Sequence, residues 1–161
     1  MNALLPYFIC GPPVSKENMK SSSCEAIASI LDSSTFGLPE VQLPMIDVRD
    51  AAHAHCLMVS DPRFAKNGRY FLSNKSMWFS EIIECLSENR KEIGGTRIKT
   101  RVLGAISMNL AALLLNQKLK DILPFIKHKI ELEMDPFLLQ AFTEDLIEIE
   151  RSLVDMGASL V

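Results

Sequence analysis

The chain has 161 residues, of which 48% are hydrophobic and 23% are charged, a composition typical of one folded domain that excludes a disordered chain. Its net charge of −3 gives no electrostatic reason to expect a nucleic-acid partner. The longest apolar stretch, 105–115, is too short to cross a bilayer, and no basic residue precedes the N-terminal apolar run as in a signal peptide. We therefore expect a cytoplasmic protein without a membrane partner.

The four cysteines, Cys10, Cys24, Cys56 and Cys85, are widely spaced. No pair has the C-x-x-C spacing of a zinc site or a redox dithiol, so neither is predicted. We expect four reduced thiols, most of them buried.

The first part of the chain predicts a strand, a loop and a helix. The apolar run 3–9 is typical of a strand buried on both faces of a parallel sheet, with Pro6 marking an irregularity because proline cannot donate to a ladder. Residues 14–23 are polar and predict a loop, and residues 24–31 suit a short helix. Pro39 and Pro44 are expected to bracket a second loop.

The middle of the chain predicts two strands, each followed by a helix. Residues 45–48 predict a short strand, and Asp50 is expected to cap a helix that runs to Ser60. Residues 69–73 predict the second strand, and Ser80 is expected to cap the second helix. Apolar residues at helical spacing form the expected buried faces: Ala51, Ala54, Leu57 and Met58 in the first helix, and Phe79, Ile82, Ile83 and Leu86 in the second.

The last part of the chain continues this alternation. Strict alternation of apolar and basic residues over 97–102 predicts a strand. Residues 104–119 predict an apolar helix, and 129–133 predict a strand. Thr143 is expected to cap a final helix that ends at Gly157. Because strands and helices alternate throughout, the predicted class is α/β.

Three groups of polar residues are candidate sites. His53 and His55 point in different directions on a helix, so they cannot share a metal ion. The basic residues Arg97, Lys99 and Arg101 could hold a phosphate or a carboxylate, but a solvated strand face explains them equally well. The last helix carries four carboxylates that its dipole explains without a catalytic pair: Glu144, Asp145, Glu148 and Glu150.

Four segments, taken in order, carry a family resemblance. They are residues 5–13 (LPYFICGPP), 46–55 (IDVRDAAHAH), 68–72 (GRYFL) and 152–157 (SLVDMG). The series resembles extended short-chain dehydrogenases/reductases of the dihydroflavonol-reductase, cinnamoyl-CoA-reductase and methylglyoxal-reductase kind, within the epimerase/dehydratase superfamily. The second segment is the most specific of the four. The resemblance implies the fold of the C-terminal portion of such an enzyme.

The resemblance also implies a cofactor, NADP(H), and residues that contact its nicotinamide end. These are four residues of the first segment and one serine further along the chain: Pro6, Tyr7, Phe8 and Ile9, with Ser21, Ser22 or Ser23. Backbone groups and a small hydroxyl suit a carboxamide. The chain departs from the family pattern at Leu5, where asparagine is usual, and at Tyr7, which is often a small residue.

The same resemblance implies a division of the chain. Residues 1–13 correspond to a late Rossmann strand and its cofactor-side loop, and residues 14–161 correspond mostly to the substrate-binding part. The family's glycine-rich phosphate loop is absent, and neither Tyr7 nor Tyr70 is followed four residues later by the lysine of its catalytic pair. No catalytic residue is assigned, and a truncated chain that is inactive by itself is expected.

Two functions remain open at this point. One is a fragment of an NAD(P)H-dependent carbonyl reductase, whose small aldehyde or ketone substrate receives hydride from the nicotinamide. The alternative is a non-enzymatic interaction module. In either case strand 4–9 is expected to lack some of its neighbours, and an exposed apolar strand edge predicts self-association.

Overall fold

The computed structural model describes residues 2–33, 37–65, 67–95, 97–103, 128–130 and 132–161. The strands over these residues are β1 (Asn2–Pro6), β2 (Phe8–Cys10), β3 (Gly37–Pro39), β4 (Gln42–Asp47), β5 (Gly68–Leu72), β6 (Lys75–Trp78) and β7 (Arg101–Leu103). The helices are α1 (Ser22–Leu31), α2 (Val48–Ser60), α3 (Phe79–Glu88), α4 (Pro136–Leu139) and α5 (Ile149–Leu160). Strands and helices alternate along much of the chain, and the predicted α/β class is confirmed.

The strands pair into three small sheets. β1 lies parallel to β5, and β3 lies parallel to β7. β4 is the central strand of the third sheet, with β2 parallel on one side and β6 antiparallel on the other. The sheet that contains β4 positions the site described below, because β2 ends beside the end of β4 and α2 begins there.

The predicted strand over 3–9 is two strands that belong to different sheets. The ladder breaks at Tyr7, immediately after Pro6, so the irregularity expected at the proline is confirmed. Residues 2–6 are half-buried, as are Phe8 and Ile9, so burial on both faces was a wrong expectation. The physical reason is that residues 3–9 do not run as one strand through one parallel sheet. After the break, β1 pairs with β5 and β2 pairs with β4.

The next segments follow the prediction with one exception. Residues 14–21 form the predicted loop, which includes a 3₁₀ turn at Asn18–Lys20, and α1 confirms the helix over 24–31 but begins two residues earlier, at Ser22. The loop expected between Pro39 and Pro44 is wrong, because β4 begins at Gln42 and Pro44 lies inside it. β4 covers Gln42–Asp47, so it is longer than the predicted strand 45–48 and begins three residues earlier. All six of its residues are buried.

α2 ends at Ser60 as predicted, but its cap is Asp47 rather than Asp50. The Asp47 carboxylate accepts a hydrogen bond from the Arg49 backbone N–H at 2.7 Å, which is the local contact of an N-cap. Asp50 lies inside the helix, and its carboxylate accepts from the Ile147 N–H at 2.9 Å. Ala51 and Ala54 are buried, which confirms the predicted face.

β5 and α3 confirm the predicted strand and helix. The cap of α3 is Trp78, whose N–H donates to the Glu81 carboxylate at 2.7 Å. Ser80 is therefore not the cap, and its hydroxyl donates to Glu40 at 2.7 Å. On the predicted face of α3, Ile82 and Leu86 are fully buried.

The C-terminal part departs most from the prediction. A strand was predicted over 97–102, but only residues 101–103 form one. Burial still alternates along 97–102, as expected. The described residues of 129–133 form no strand, and the helix predicted over 104–119 lies outside the described residues. The final helix begins at Ile149, not at Thr143. Gly157 lies inside this helix, where its small size admits Ile93.

Two apolar clusters make up the core. The larger joins α1, α3 and α5 across the β4 sheet and contains Ile27, Met45, Leu86 and Leu153. The smaller contains the buried face of α2 (Ala51 and Ala54) and Phe64, whose ring meets Tyr70 edge-on at 5.3 Å. Among the described residues, no helix is both long and apolar enough to span a membrane.

Candidate nicotinamide cavity

A cavity of about 250 Å³ lies where β2 ends and where α1 and α2 begin. Its lining comes from several separate elements: the end of β2 and the following turn (Ile9, Cys10, Gly11, Pro12, Pro13 and Val14), the 3₁₀ turn (Asn18), the start of α1 (Ser21, Ser23 and Cys24), Val48 and Met156. The lining is mostly apolar, and the hydroxyls of Ser21 and Ser23 add polar groups to it. Such a lining suits a planar, largely apolar group with a few hydrogen-bonding atoms.

The structure divides the seven residues that the resemblance implied. Ile9, Ser21 and Ser23 line this cavity together, although they come from β2 and from the start of α1. Ser21 is also the N-cap of α1, because its side chain accepts from the Cys24 N–H at 3.4 Å. The exposed Ser22 is not among the lining residues.

The three remaining residues lie elsewhere. Pro6 and Tyr7 line a second cavity of about 210 Å³ beside β5, and 64% of Tyr7 is exposed. Phe8 packs against the larger core cluster.

A cluster of polar side chains, here called the Asp47 cluster (Asp47, Arg49, Ser152 and Asp155), lies beside the cavity. Asp47 is fully buried and accepts from Arg49 Nε at 2.9 Å, from Arg49 Nη2 at 2.8 Å and from Ser152 Oγ at 2.5 Å. Arg49 also donates to Asp155 at 3.0 Å. Asp47 is the N-cap of α2, and Arg49 lies in the first turn of that helix.

The charge of Asp47 is stabilised despite its burial. Burial favours the neutral acid, but hydrogen bonds from Arg49 and Ser152 outweigh it and lower the pKa of the Asp47 carboxyl below its ordinary value of 3.8. The ionised form therefore adds stability that is fully present above pH 3.8 and is lost as the pH falls through the lower folded-state pKa.

The thiols are free, as expected, and Cys10, Cys24 and Cys85 are buried whereas Cys56 is exposed. Burial and the nearby Asp47 carboxylate raise the pKa of the Cys10 thiol to about 12. The Cys10 thiol is therefore protonated at neutral pH and reacts slowly in the folded chain.

The other candidate groups do not come together as sites. His53 and His55 both lie on α2, as expected; the His53 ring meets Phe142 edge-on at 5.1 Å, and His55 Nδ1 lies 2.7 Å from the Ala51 carbonyl. The side chains of Arg97, Lys99 and Arg101 are exposed. Of the acidic residues, Glu150 pairs with Lys75. Over the part of the chain that is described, no group of three or more possible ligands could hold a metal ion.

No family model and no curated protein matches the sequence. Solved structures do match, among them Gre2 from Candida albicans in complex with NADPH, at 20% identity and a TM-score of 0.64, over 98% of this chain and 42% of that one. The yeast methylglyoxal/isovaleraldehyde reductase Gre2, complexed with NADPH, matches at 16% identity and a TM-score of 0.55, over 97% of this chain and 45% of that one. A UDP-N-acetylglucosamine 4-epimerase from Methanobrevibacter ruminantium, in complex with UDP-N-acetylmuramic acid, matches at 19% identity and a TM-score of 0.58, over 98% and 45%.

This chain has the fold of the extended short-chain dehydrogenases/reductases. The resemblance predicted from four short segments is thereby confirmed at the level of the fold. The chain spans between 42% and 48% of the length of the first matching structures. Val48 and Met156 also line the cavity. They lie in the second and fourth segments of the resemblance, but the sequence analysis did not name them as site residues, because only the tertiary structure brings them to the end of β2.

Proposed function

We propose that this chain supplies the nicotinamide-side cavity and the substrate-binding part of an NADP(H)-dependent carbonyl reductase, and that it does not reduce carbonyls by itself. The observation that carries the proposal is the meeting of Ile9, Ser21 and Ser23 in one cavity. Residues 1–13 then form the late Rossmann strand and its loop, and residues 14–161 form mostly the substrate-binding part. When bound, the nicotinamide would supply a hydride to the carbonyl carbon of a small aldehyde or ketone.

The size and chemistry of the cavity support this assignment. At about 250 Å³ it lies at the small end of ligand pockets, which suits one ring of a dinucleotide rather than the whole molecule. The apolar side chains of Ile9, Val48 and Met156 can contact the ring. The hydroxyls of Ser21 and Ser23 can hydrogen-bond a carboxamide. The phosphates have no glycine-rich loop in these 161 residues to receive them.

Weak and local binding of NADPH is therefore expected. Because the phosphate and adenosine contacts are missing, the dissociation constant should be no tighter than about 1 mM, which corresponds to about 4 kcal/mol. A titration followed by two-dimensional NMR should shift the amide signals of Ile9, Ser21 and Ser23. NADPH oxidation in the presence of aldehydes or ketones should stay at the level of buffer controls.

Two neighbouring serines provide the control for this titration. Ser23→Ala removes a hydroxyl that lines the cavity, whereas Ser22→Ala removes an exposed one from the same turn. The first variant should weaken NADPH binding about threefold or more, and the second should leave it unchanged. A micromolar dissociation constant, saturable turnover, or signal shifts confined to other parts of the chain would each contradict the proposal.

The alternative function, an interaction module, is favoured by one surface. β1 pairs only with β5 among the described strands, and none of them pairs with its other edge. Tyr7 follows β1, and Phe71 lies on β5 in register with Leu5; these two residues are 64% and 47% exposed, and both line the 210 Å³ cavity with Leu5 and Leu132. A strand edge near exposed aromatic side chains is suited to pair with a second copy of the chain.

Self-association at this edge is expected at a concentration of about 100 μM, a common working range for transient protein contacts. Phe71→Lys should shift the chain towards monomer, because a charge opposes burial of this surface against another chain. Phe8 is a poorer position for this substitution, since it packs against the core. Sedimentation velocity measures the outcome.

The matched control is Val59→Lys, which places the same charge on α2 at a residue that is 89% exposed. This variant should associate like the parent chain. A parent chain that is monomeric at this concentration, or equal effects of the two lysines, would refute association through β1.

A further inference from the structure

We infer that the Asp47 cluster is a positioning device that fixes the wall of the cavity at the end of β2. Two of the four segments that carry the resemblance meet in it: Asp47 and Arg49 come from IDVRD, and Ser152 and Asp155 come from SLVDMG, more than 100 residues later. The identity of the ligand rests on the proposed function, whereas the positioning role of the Asp47 cluster rests on its contacts alone.

Each residue of the cluster adjoins a residue that lines the cavity. Asp47 pairs in register with Cys10 of β2, and Val48 follows Asp47 in the chain. A Cβ atom on Gly11 would lie 3.2 Å from Asp47 Oδ2, so the turn after β2 rests directly on this carboxylate. On α5, Met156 lies one turn after Ser152 and next to Asp155.

Ser152 is the partner that connects α5 to the other elements within the buried part of the cluster. Its side chain is fully buried, whereas 45% of the Arg49 side chain is exposed, so the serine hydroxyl has the more confined position. The Oδ2 atom of Asp47 accepts from Ser152 Oγ and from Arg49 Nη2. Removing the hydroxyl leaves a buried carboxylate with one partner fewer and leaves only the half-exposed Arg49–Asp155 contact in the cluster to join α5 to the start of α2.

The buried cysteines make this release measurable without any cofactor. Cys10 and Cys24 line the cavity, Cys85 is buried on α3 with its thiol near the Glu150 carbonyl at 3.8 Å, and Cys56 is exposed. Labelling of the native chain with a maleimide, followed by mass spectrometry of each cysteine, thus reports the cavity wall, the remaining core and an exposed reference in one experiment.

Ser152→Ala should raise the labelling rate of Cys10 about tenfold, relative to the parent chain, while the rate of Cys85 changes much less. Ser159→Ala is the matched control, because it removes an exposed hydroxyl from the same helix that contacts only the Asp155 carbonyl, at 2.8 Å. Labelling at Cys10 should be unchanged in this control.

Equal increases at Cys10 and Cys85 in Ser152→Ala would overturn the inference, since the effect would then not be confined to the cavity wall but would extend to the contact of α5 with α3. An unchanged rate at Cys10 would overturn it as well. If Ser152→Ala does not fold, Arg49→Met removes the charge of a half-exposed side chain and is judged by the same two rates. The labelling needs no NADPH, so its failure is distinct from a failure of the proposed function, which the NADPH titration decides.

Discussion

Replacing Gly11 by alanine is expected to lower the free energy of unfolding by about 2–4 kcal/mol. Gly11 has φ of +125°, a backbone conformation that side chains with a Cβ rarely adopt. The added methyl would lie 2.8 Å from Val48 Cγ1, and Val48 is β-branched at the first turn of a helix, so it cannot easily turn away. Urea denaturation followed by circular dichroism measures the loss.

Gly95→Ala separates the two contributions to this loss. Gly95 also has a positive φ, +79°, but no atom lies within 4 Å of an added Cβ. It should lose only the backbone contribution, about 1 kcal/mol. Equal losses at Gly11 and Gly95 would show that contact with Val48 adds nothing, and the close packing of the β2 turn on α2 would then be wrong.

The periodicity of apolar residues predicts which faces of the helices are buried, but not the residues at which the helices begin. Ala51 and Ala54 on α2, and Ile82 and Leu86 on α3, were predicted to face the core because apolar residues at helical spacing leave no other face to bury. The sequence places the caps of α2 and α3 three and two residues too late, and the cap of α5 five residues too early. A helix can begin at any of several polar residues, and the backbone bonds that decide between them are not written in the local sequence.

Asp47 shows why this decision is not local. Asp47 and Asp50 are both reasonable caps by residue type. The structure uses Asp47 because Ser152 and Arg49 satisfy its buried carboxylate, and it uses Asp50 to accept from Ile147. One partner of each aspartate lies about 100 residues away in the chain, so only tertiary structure distinguishes them.

The candidate cavity was predictable in part for the same reason. Ile9, Ser21 and Ser23 were named from a resemblance, which carries information about a whole fold that composition and spacing lack. That information did not distinguish them from Ser22, Pro6 and Tyr7. For Pro6 and Tyr7 the difference depends on the break between β1 and β2, which follows from pairing with distant strands.

Leu153→Ala is expected to lower the free energy of unfolding by about 2–5 kcal/mol, because it removes a fully buried side chain and leaves a cavity. Leu153 lies on α5, which packs against both α1 and α3, so its neighbours come from three helices that belong to one core cluster. Those helices are fixed to the β4 sheet and can close the space only in part. Chemical denaturation with tryptophan fluorescence or circular dichroism measures the change.

The control is Leu139→Ala on α4, where 48% of the side chain is exposed. The same atoms are deleted there, but half of them already contact water, so the loss should stay below about 1 kcal/mol. The comparison tests whether α5 is part of the folding core or only covers it. If Leu153→Ala costs no more than Leu139→Ala, α5 would be weakly attached, and the contact of Ser152 with Asp47 could not hold the cavity wall in place. A large loss of stability at Leu153 together with a small one at Leu139 would show that α5 belongs to the folding core. α5 then stabilises the side of the core formed by α1 and α3, while Ser152 on the same helix holds the end of β4.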